Sequence, residues 1–144
     1  MTPNGILDSG ASSTFLQKGV GIPTGHPSTK IVGMPNGHTE RASLQVLLPN
    51  EKLSYGARKA DELPSLRHNS LVSVPTLANN GYTTVFKPGQ EGVEVYESKE
   101  VKIVASARPV LRGWRDSSGL WRVPLSSNSS PSPDNIDSGQ IDIL

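Results

Sequence analysis

The chain has 144 residues, a formal charge of +1, 34% hydrophobic and 5% aromatic residues, and no cysteine. That length suits one domain of ordinary size with a small core, and the balanced charge makes no global electrostatic case for nucleic acid or membrane binding. The missing cysteine removes disulfide scaffolds, cysteine-based zinc sites and thiol nucleophiles together, and it fits a cytoplasmic protein.

Glycine (14) and proline (12) are frequent, so short strands between many turns are expected. Residues 1–5 carry no basic region and lead into no long apolar run, so they do not read as a signal peptide. Nothing approaches the length of a membrane span. Ile6-Leu7 is a short apolar strand that delivers Asp8-Ser9-Gly10 into a tight turn. The small residues Ala11, Ser12 and Ser13 follow, then a second apolar pair, Phe15-Leu16. Both flanking strands are expected to be buried. Gly19, Gly21, Pro23, Gly25 and Pro27 predict a loop over residues 18–28. Lys30-Ile31-Val32 resumes a strand, and Pro35-Asn36-Gly37 is a hairpin turn signal. Leu44, Val46 and Leu48 alternate with Ser43, Gln45 and Leu47 in a nearly half-buried strand pattern that ends in a turn at residues 49–52.

Leu71-Val72 reads as a buried pair leading to one short helix. Ser73 suits its N-cap, Pro75 its first turn and Gly81 a left-handed position just past its end. Val74, Leu77 and Ala78 share one face of it. Tyr82-Thr83-Thr84-Val85-Phe86 then reads as a strand, rich in β-branched and aromatic residues. A turn at residues 87–92 leads to an alternating strand over residues 93–96, and residues 101–105 predict a further strand. Val110-Leu111 and Leu120-Trp121-Arg122-Val123 flank a hairpin turn at Asp116-Ser117-Ser118-Gly119. The basic residues Lys99, Lys102, Arg108, Arg112, Arg115 and Arg122 and the acidic Asp134, Asp137 and Asp142 read as two solvated segments. From Ser126 onward the composition collapses to Ser, Asn, Pro, Asp and Gly, which predicts a disordered tail over residues 126–144.

Asp8 carries the chemistry of interest, although a lone Asp-Ser-Gly also describes an aspartate capping its own turn. Other chemistries find less support. Ser9 and Ser12 lack a Gly-x-Ser-x-Gly frame and a positioned base. His26, His38 and His68 have no ligand spacing, so no metal site is expected. Trp114 and Trp121 sit beside apolar neighbours and read as core rather than as nucleotide-stacking platforms. Gly19-x-Gly21 precedes no strand–helix unit of the phosphate-binding kind.

In three ordered blocks the chain resembles the retropepsin family, the dimeric aspartic proteases of retroelements, and in particular the protease region of Copia-type retrotransposon polyproteins. The first block is Ile6-Leu7-Asp8-Ser9-Gly10-Ala11-Ser12, similar to the family's catalytic loop. The second is Ile31-Val32-Gly33-Met34-Pro35-Asn36-Gly37-His38, placed where the family has its flap. The third runs from Asn69 through Leu71-Val72-Ser73-Val74-Pro75-Thr76-Leu77 to Asn80-Gly81-Tyr82 and resembles the segment that supports the catalytic loop. Farther on, Val110-Leu111-Arg112-Gly113 and Gly119-Leu120-Trp121-Arg122-Val123-Pro124-Leu125 look like the stretch between protease and integrase.

The resemblance implies an all-β fold, a closed, barrel-like acid protease subunit with one short helix over residues 1–87. A β-rich extension would follow over residues 88–125. It implies an aspartic endopeptidase acting as a homodimer on polyprotein peptide, with Asp8 catalytic and Ser9 and Gly10 supporting its loop. Ala11, Ser12, Val32, Gly33, Met34, Asn36, Gly37 and Leu71 would bind substrate, and no cofactor is needed. Two departures stand out. Ser73-Val74 replaces the Gly-Arg pair common in the family, and only seven residues precede Asp8, where a longer segment normally helps to build the dimer. A non-catalytic peptide-binding or dimerisation module, and an inactive retroelement remnant, are the alternatives.

Overall fold

The structure is a computed structural model that describes residues 3–34 and 36–127. It is mostly β. In chain order the elements are β1 (Gly5–Asp8), β2 (Phe15–Leu16), β3 (Ile22–Pro27), β4 (Ile31–Gly33), β5 (Thr39–Arg41), β6 (Leu44–Leu47), α1 (Tyr55–Arg58), β7 (Lys59–Glu62), β8 (Ser70–Ser73), α2 (Val74–Asn79), β9 (Tyr82–Phe86), β10 (Val93–Glu97), β11 (Trp114–Arg115) and β12 (Trp121–Arg122). Six strands form one sheet in the order β1-β8-β2-β7-β6-β3, and β4–β5, β9–β10 and β11–β12 are separate hairpins. The pairs β1–β8 and β2–β7 are parallel, whereas the other ladders of the sheet are antiparallel. Parallel neighbours need long crossovers, and here the crossovers carry the β4–β5 hairpin and the core strands.

The buried centre is Leu16, Val46 and Ala60, with Val20, Leu44 and Leu48 packed against it. The alternation read at Leu44, Val46 and Leu48 therefore does place one face of β6 on the core. Gly21 must approach this cluster without a side chain, since a Cβ there would lie 2.6 Å from Val46 Cβ.

The sheet is open, not the closed barrel expected. β1 is bonded only to β8 and β3 only to β6, so each is an edge. β3 is poorly made for further pairing, because Pro23 and Pro27 cannot donate and its register breaks between them. That edge position also explains why residues 22–27 form a strand where the sequence predicts a loop. Proline and glycine are tolerated in a strand that has only one neighbour to satisfy.

Burial is shallower than expected beside the Asp8 turn. Ile6 is 47% exposed because β1 is an edge strand, and Leu71 and Val72 are only half-buried. The predicted strand at residues 101–105 does not form. No neighbouring ladder meets this stretch, and residues 102–112 are all exposed, with Val104 at 93%. Val110 and Leu111 share that exposure, so the hairpin around residues 116–119 is shorter than predicted and keeps only β11 and β12.

The helix expected after Ser73 forms with the cap as read. Ser73 Oγ accepts from the Thr76 N–H at 3.0 Å, and Gly81 has φ +86° past the last turn. A second single-turn helix, α1, was not anticipated. It is fixed from outside, by Arg58 Nε donating to the Leu48 carbonyl at 2.8 Å and by Gly56 lying close against Asn80. No helix is long and apolar enough to cross a membrane among the described residues. Apart from residues 126 and 127, the tail expectation lies outside the described residues.

Candidate functional site around the Asp8 turn

Asp8 ends β1, where it lies opposite Ser73 in the parallel β1–β8 register. Its Oδ1 accepts the Gly10 N–H at 2.8 Å, and a Cβ on Gly10 would sit 3.4 Å from that oxygen. The carboxylate is thus held at the mouth of its own turn, half-buried, with Ser9 and Gly10 exposed beside it. The chain then passes Ala11 and Ser12 and re-enters the sheet at β2, which pairs with β8 through Phe15 and Leu71.

The turn is clamped from below by the β8–α2 junction. Ser73 is fully buried and its Oγ donates to the Ala11 carbonyl at 2.6 Å, while accepting from Thr76. The Ser73 N–H donates to Thr14 Oγ1 at 3.0 Å, and Thr14 is itself buried. Thr76 Oγ1 reaches the Ser12 carbonyl at 3.5 Å. A glycine at position 73 would supply neither hydroxyl bond.

The β4–β5 hairpin stands where a flap is expected. Val32 pairs with Glu40 and Gly33 with Thr39. Its turn closes through Met34 N–H to His38 carbonyl (2.8 Å) and Gly37 N–H to Met34 carbonyl (2.9 Å). Asn36 Oδ1 accepts from the His38 N–H at 3.0 Å, and Gly37 takes φ +85°, a conformation that favours glycine. The hairpin is rooted against the six-stranded sheet and the segment leading into β2. Lys30, immediately before β4, places Nζ 2.9 Å from Asp61 Oδ2 and 3.0 Å from Ser13 Oγ, and lies over the Phe15 ring at 5.9 Å. Asp61 is buried, and its other oxygen accepts from Ser28 Oγ at 2.6 Å.

Asp8, Ser9, Gly10, Ala11 and Ser12 are thus gathered at one end of β1, whereas Leu71 lies two residues back from it, opposite Ile6. Val32, Gly33, Met34, Asn36 and Gly37 sit on a separate hairpin. Among the described residues no hydrogen bond joins the tip of that hairpin to the Asp8 turn. Between hairpin root and sheet lies a cavity of about 330 Å3, lined in part by Ser13, Thr14, Lys30, Lys59, Asp61 and Thr76. On the other side of the turn, Ser9, Val74, Ala78, Tyr82, Phe86 and Trp121 border a cleft of about 320 Å3.

Several contributors were not singled out in the sequence. Thr14, Ser28 and Asp61 reach partners 31 to 59 residues away, so no local pattern marks them. Ser73 was read only as a helix cap, and its bond to the Ala11 carbonyl adds a second role.

The buried acids Asp61 and Glu62 are committed elsewhere, Glu62 to the Gly19 N–H (3.0 Å) and Ser43 Oγ (2.8 Å). Among the described residues there is no cluster of His, Asp and Glu able to hold a metal ion. No protein-family model, curated protein or solved structure matches the chain.

Proposed function

We propose that this chain is one half of an aspartic endopeptidase of the retropepsin kind, as in Copia-type retroelements, acting on extended polyprotein segments in the cytoplasm. The observation that carries the reading is the setting of Asp8. It ends a strand, turns through Ser9-Gly10, and is braced by Ser73 from the adjacent parallel strand.

Each chain supplies one Asp8, so a homodimer supplies the pair. Two close carboxylates cannot both ionise cheaply, and they share one proton over a wide pH range. The ionised member takes a proton from a bound water, and the water oxygen attacks the scissile carbonyl. The protonated member donates to the carbonyl oxygen. The first carboxyl then passes its proton to the leaving nitrogen as the C–N bond breaks, and the second takes back a proton from a hydroxyl of the intermediate to leave the acid and amine products. This chemistry calls for no metal, cofactor or covalent enzyme intermediate. Ser9 and Gly10 hold the loop. Ala11, Ser12 and Leu71 line the groove, and the hairpin residues Val32, Gly33, Met34, Asn36 and Gly37 cover an extended peptide with strand-type bonds.

A second reading draws on the Asp8–Gly10 bond, which by itself is what a turn-capping aspartate makes. In that reading the scaffold binds peptide or a second copy without cleaving. The decisive experiment incubates the full chain with a peptide library at mildly acid pH, with and without a statine-type inhibitor. The protease reading expects cleavage that the inhibitor blocks and that Asp8→Asn lowers at least about a hundredfold. Cleavage undiminished in Asp8→Asn removes the dyad, and binding without turnover favours the non-catalytic module.

A further inference from the structure

A dyad brings two Asp8 carboxylates to about 3 Å. Ser9 is joined directly to Asp8, so it must then lie at the contact between the two copies. In this structure the surface beside Ser9 already has an occupant. The cleft bordered by Ser9, the α2 residues Val74 and Ala78 and the β9 residues Tyr82 and Phe86 is closed on one side by Trp121 of β12.

The hairpin that carries Trp121 is braced internally and docked externally. Inside it, Asp116 Oδ1 accepts from Ser118 Oγ (2.6 Å) and from the Leu120 N–H (3.1 Å), and Arg115 Nε donates to the Gly119 carbonyl (2.9 Å). Gly113 packs so closely under the Arg122 carbonyl that a Cβ has no room there. Outside it, Arg115 Nη1 donates to Asn79 Oδ1 at 2.7 Å, at the end of α2, while its guanidinium stacks on the Trp121 ring at 4.7 Å. Arg115 therefore orients the indole and ties the hairpin to the same helix that braces the Asp8 turn. The connection back to β10 is long, and residues 102–111 in it are all exposed. A braced unit on a long, exposed connection can leave its seat without unfolding the sheet.

We propose that the β11–β12 hairpin is a cap over the face on which a second copy of this chain docks, so that undocking of Trp121 and pairing of the catalytic loops are coupled. The inference rests on the shared-dyad reading above. Cap and partner compete for the cleft beside Ser9, and each of the two copies carries a cap, so weakening the hairpin's seat strengthens association by up to twice that free energy.

The test uses the full chain and two variants, Trp121→Ala and Arg115→Ala. Dimerisation is followed by sedimentation velocity over a concentration series. The site of contact is followed in a Ser9→Cys background, where the introduced thiol is the only one in the chain and a short bismaleimide links two copies only if their Asp8 turns meet. Each variant is expected to tighten dimerisation about tenfold, with the yield of linked Ser9→Cys pairs rising in step. Association and linking equal to the parent in both variants overturn the cap. Circular dichroism checks the fold, and if Trp121→Ala unfolds, Arg115→Ala carries the same expectation. The two readings fail separately. Tighter, correctly linked dimers that cleave no peptide keep the cap and remove the protease. A parent chain that cleaves peptide with the concentration dependence of both variants keeps the protease and removes the cap.

Discussion

Ser73 is the side chain on which the geometry of the Asp8 turn depends most. Its one hydroxyl caps α2 and holds the Ala11 carbonyl, so two elements and the turn meet in a single buried atom. Ser73→Ala removes both bonds and leaves the part-buried Ala11 carbonyl without its Ser73 donor, which is expected to cost about 1–2 kcal/mol, read as a lower urea midpoint at unchanged slope. Asp116 shows how far a cluster of donors can move one carboxyl. The Ser118 hydroxyl first, then Arg122, hold it well below the usual carboxylate range, with the Leu120 and Ser118 N–H groups assisting and burial opposing. A folded-state pKa below the unfolded value of about 3.9 gives stabilisation that is present above that value and lost as pH falls through the folded one. The bonds inside the hairpin are therefore expected to persist, docked or undocked, at the mildly acid pH that suits a carboxyl dyad. Trp114 and Trp121 are the only tryptophans in the chain. Intrinsic fluorescence thus reports on this hairpin, and its emission should be flat from about pH 7 to about pH 4. Asp116→Asn should shift that emission already at neutral pH.

At the scale of elements, the β4–β5 hairpin pairs with no other strand among the described residues and is held by its root. Lys30 bridges Asp61 and Ser13, and Asp61 is the buried member of the pair. Lys30→Met leaves that carboxylate in the interior with only Ser28 as partner. Breaking a buried pair from one side is costly, but the half-exposed ammonium reduces the effect. The expected loss is about 1–2 kcal/mol, with the β4–β5 amides exchanging their hydrogens faster than the rest of the sheet. Legibility also divides by element. α2 was readable because its signals, Ser73, Pro75 and Gly81, act within a few residues of where they stand. β3 was not, because its prolines and glycines punctuate the chain locally while a single ladder to β6 makes it a strand. Residues 101–105 err in the opposite sense, having strand composition but no neighbouring edge to pair with.

For the whole molecule the governing fact is one Asp8 in each chain beside a sheet with two open edges. If the dyad is shared, activity per chain must rise with concentration until the dimer saturates. Specific activity over a concentration series from well below to well above the dimer dissociation constant checks this. A flat series that survives inhibitor titration points to a site complete in one chain, against the shared dyad. The open edges also set this chain apart from the closed barrel expected of it, since among the described residues the prolines of β3 and the pairing of β1 with β8 alone leave no strand to join them. By itself the sequence determined what is local: the Asp-Ser-Gly turn, the Asn36-Gly37 hairpin, the capped helix after Ser73 and the alternating face of β6. Only the tertiary structure decided that Ser73 holds Ala11, that Asp61 anchors Lys30 and that Trp121 lies beside Ser9. Those contacts join residues far apart in the chain, and composition and spacing act over a few residues, whereas long-range pairing is settled by which edges and buried polar groups find partners once the sheet is built.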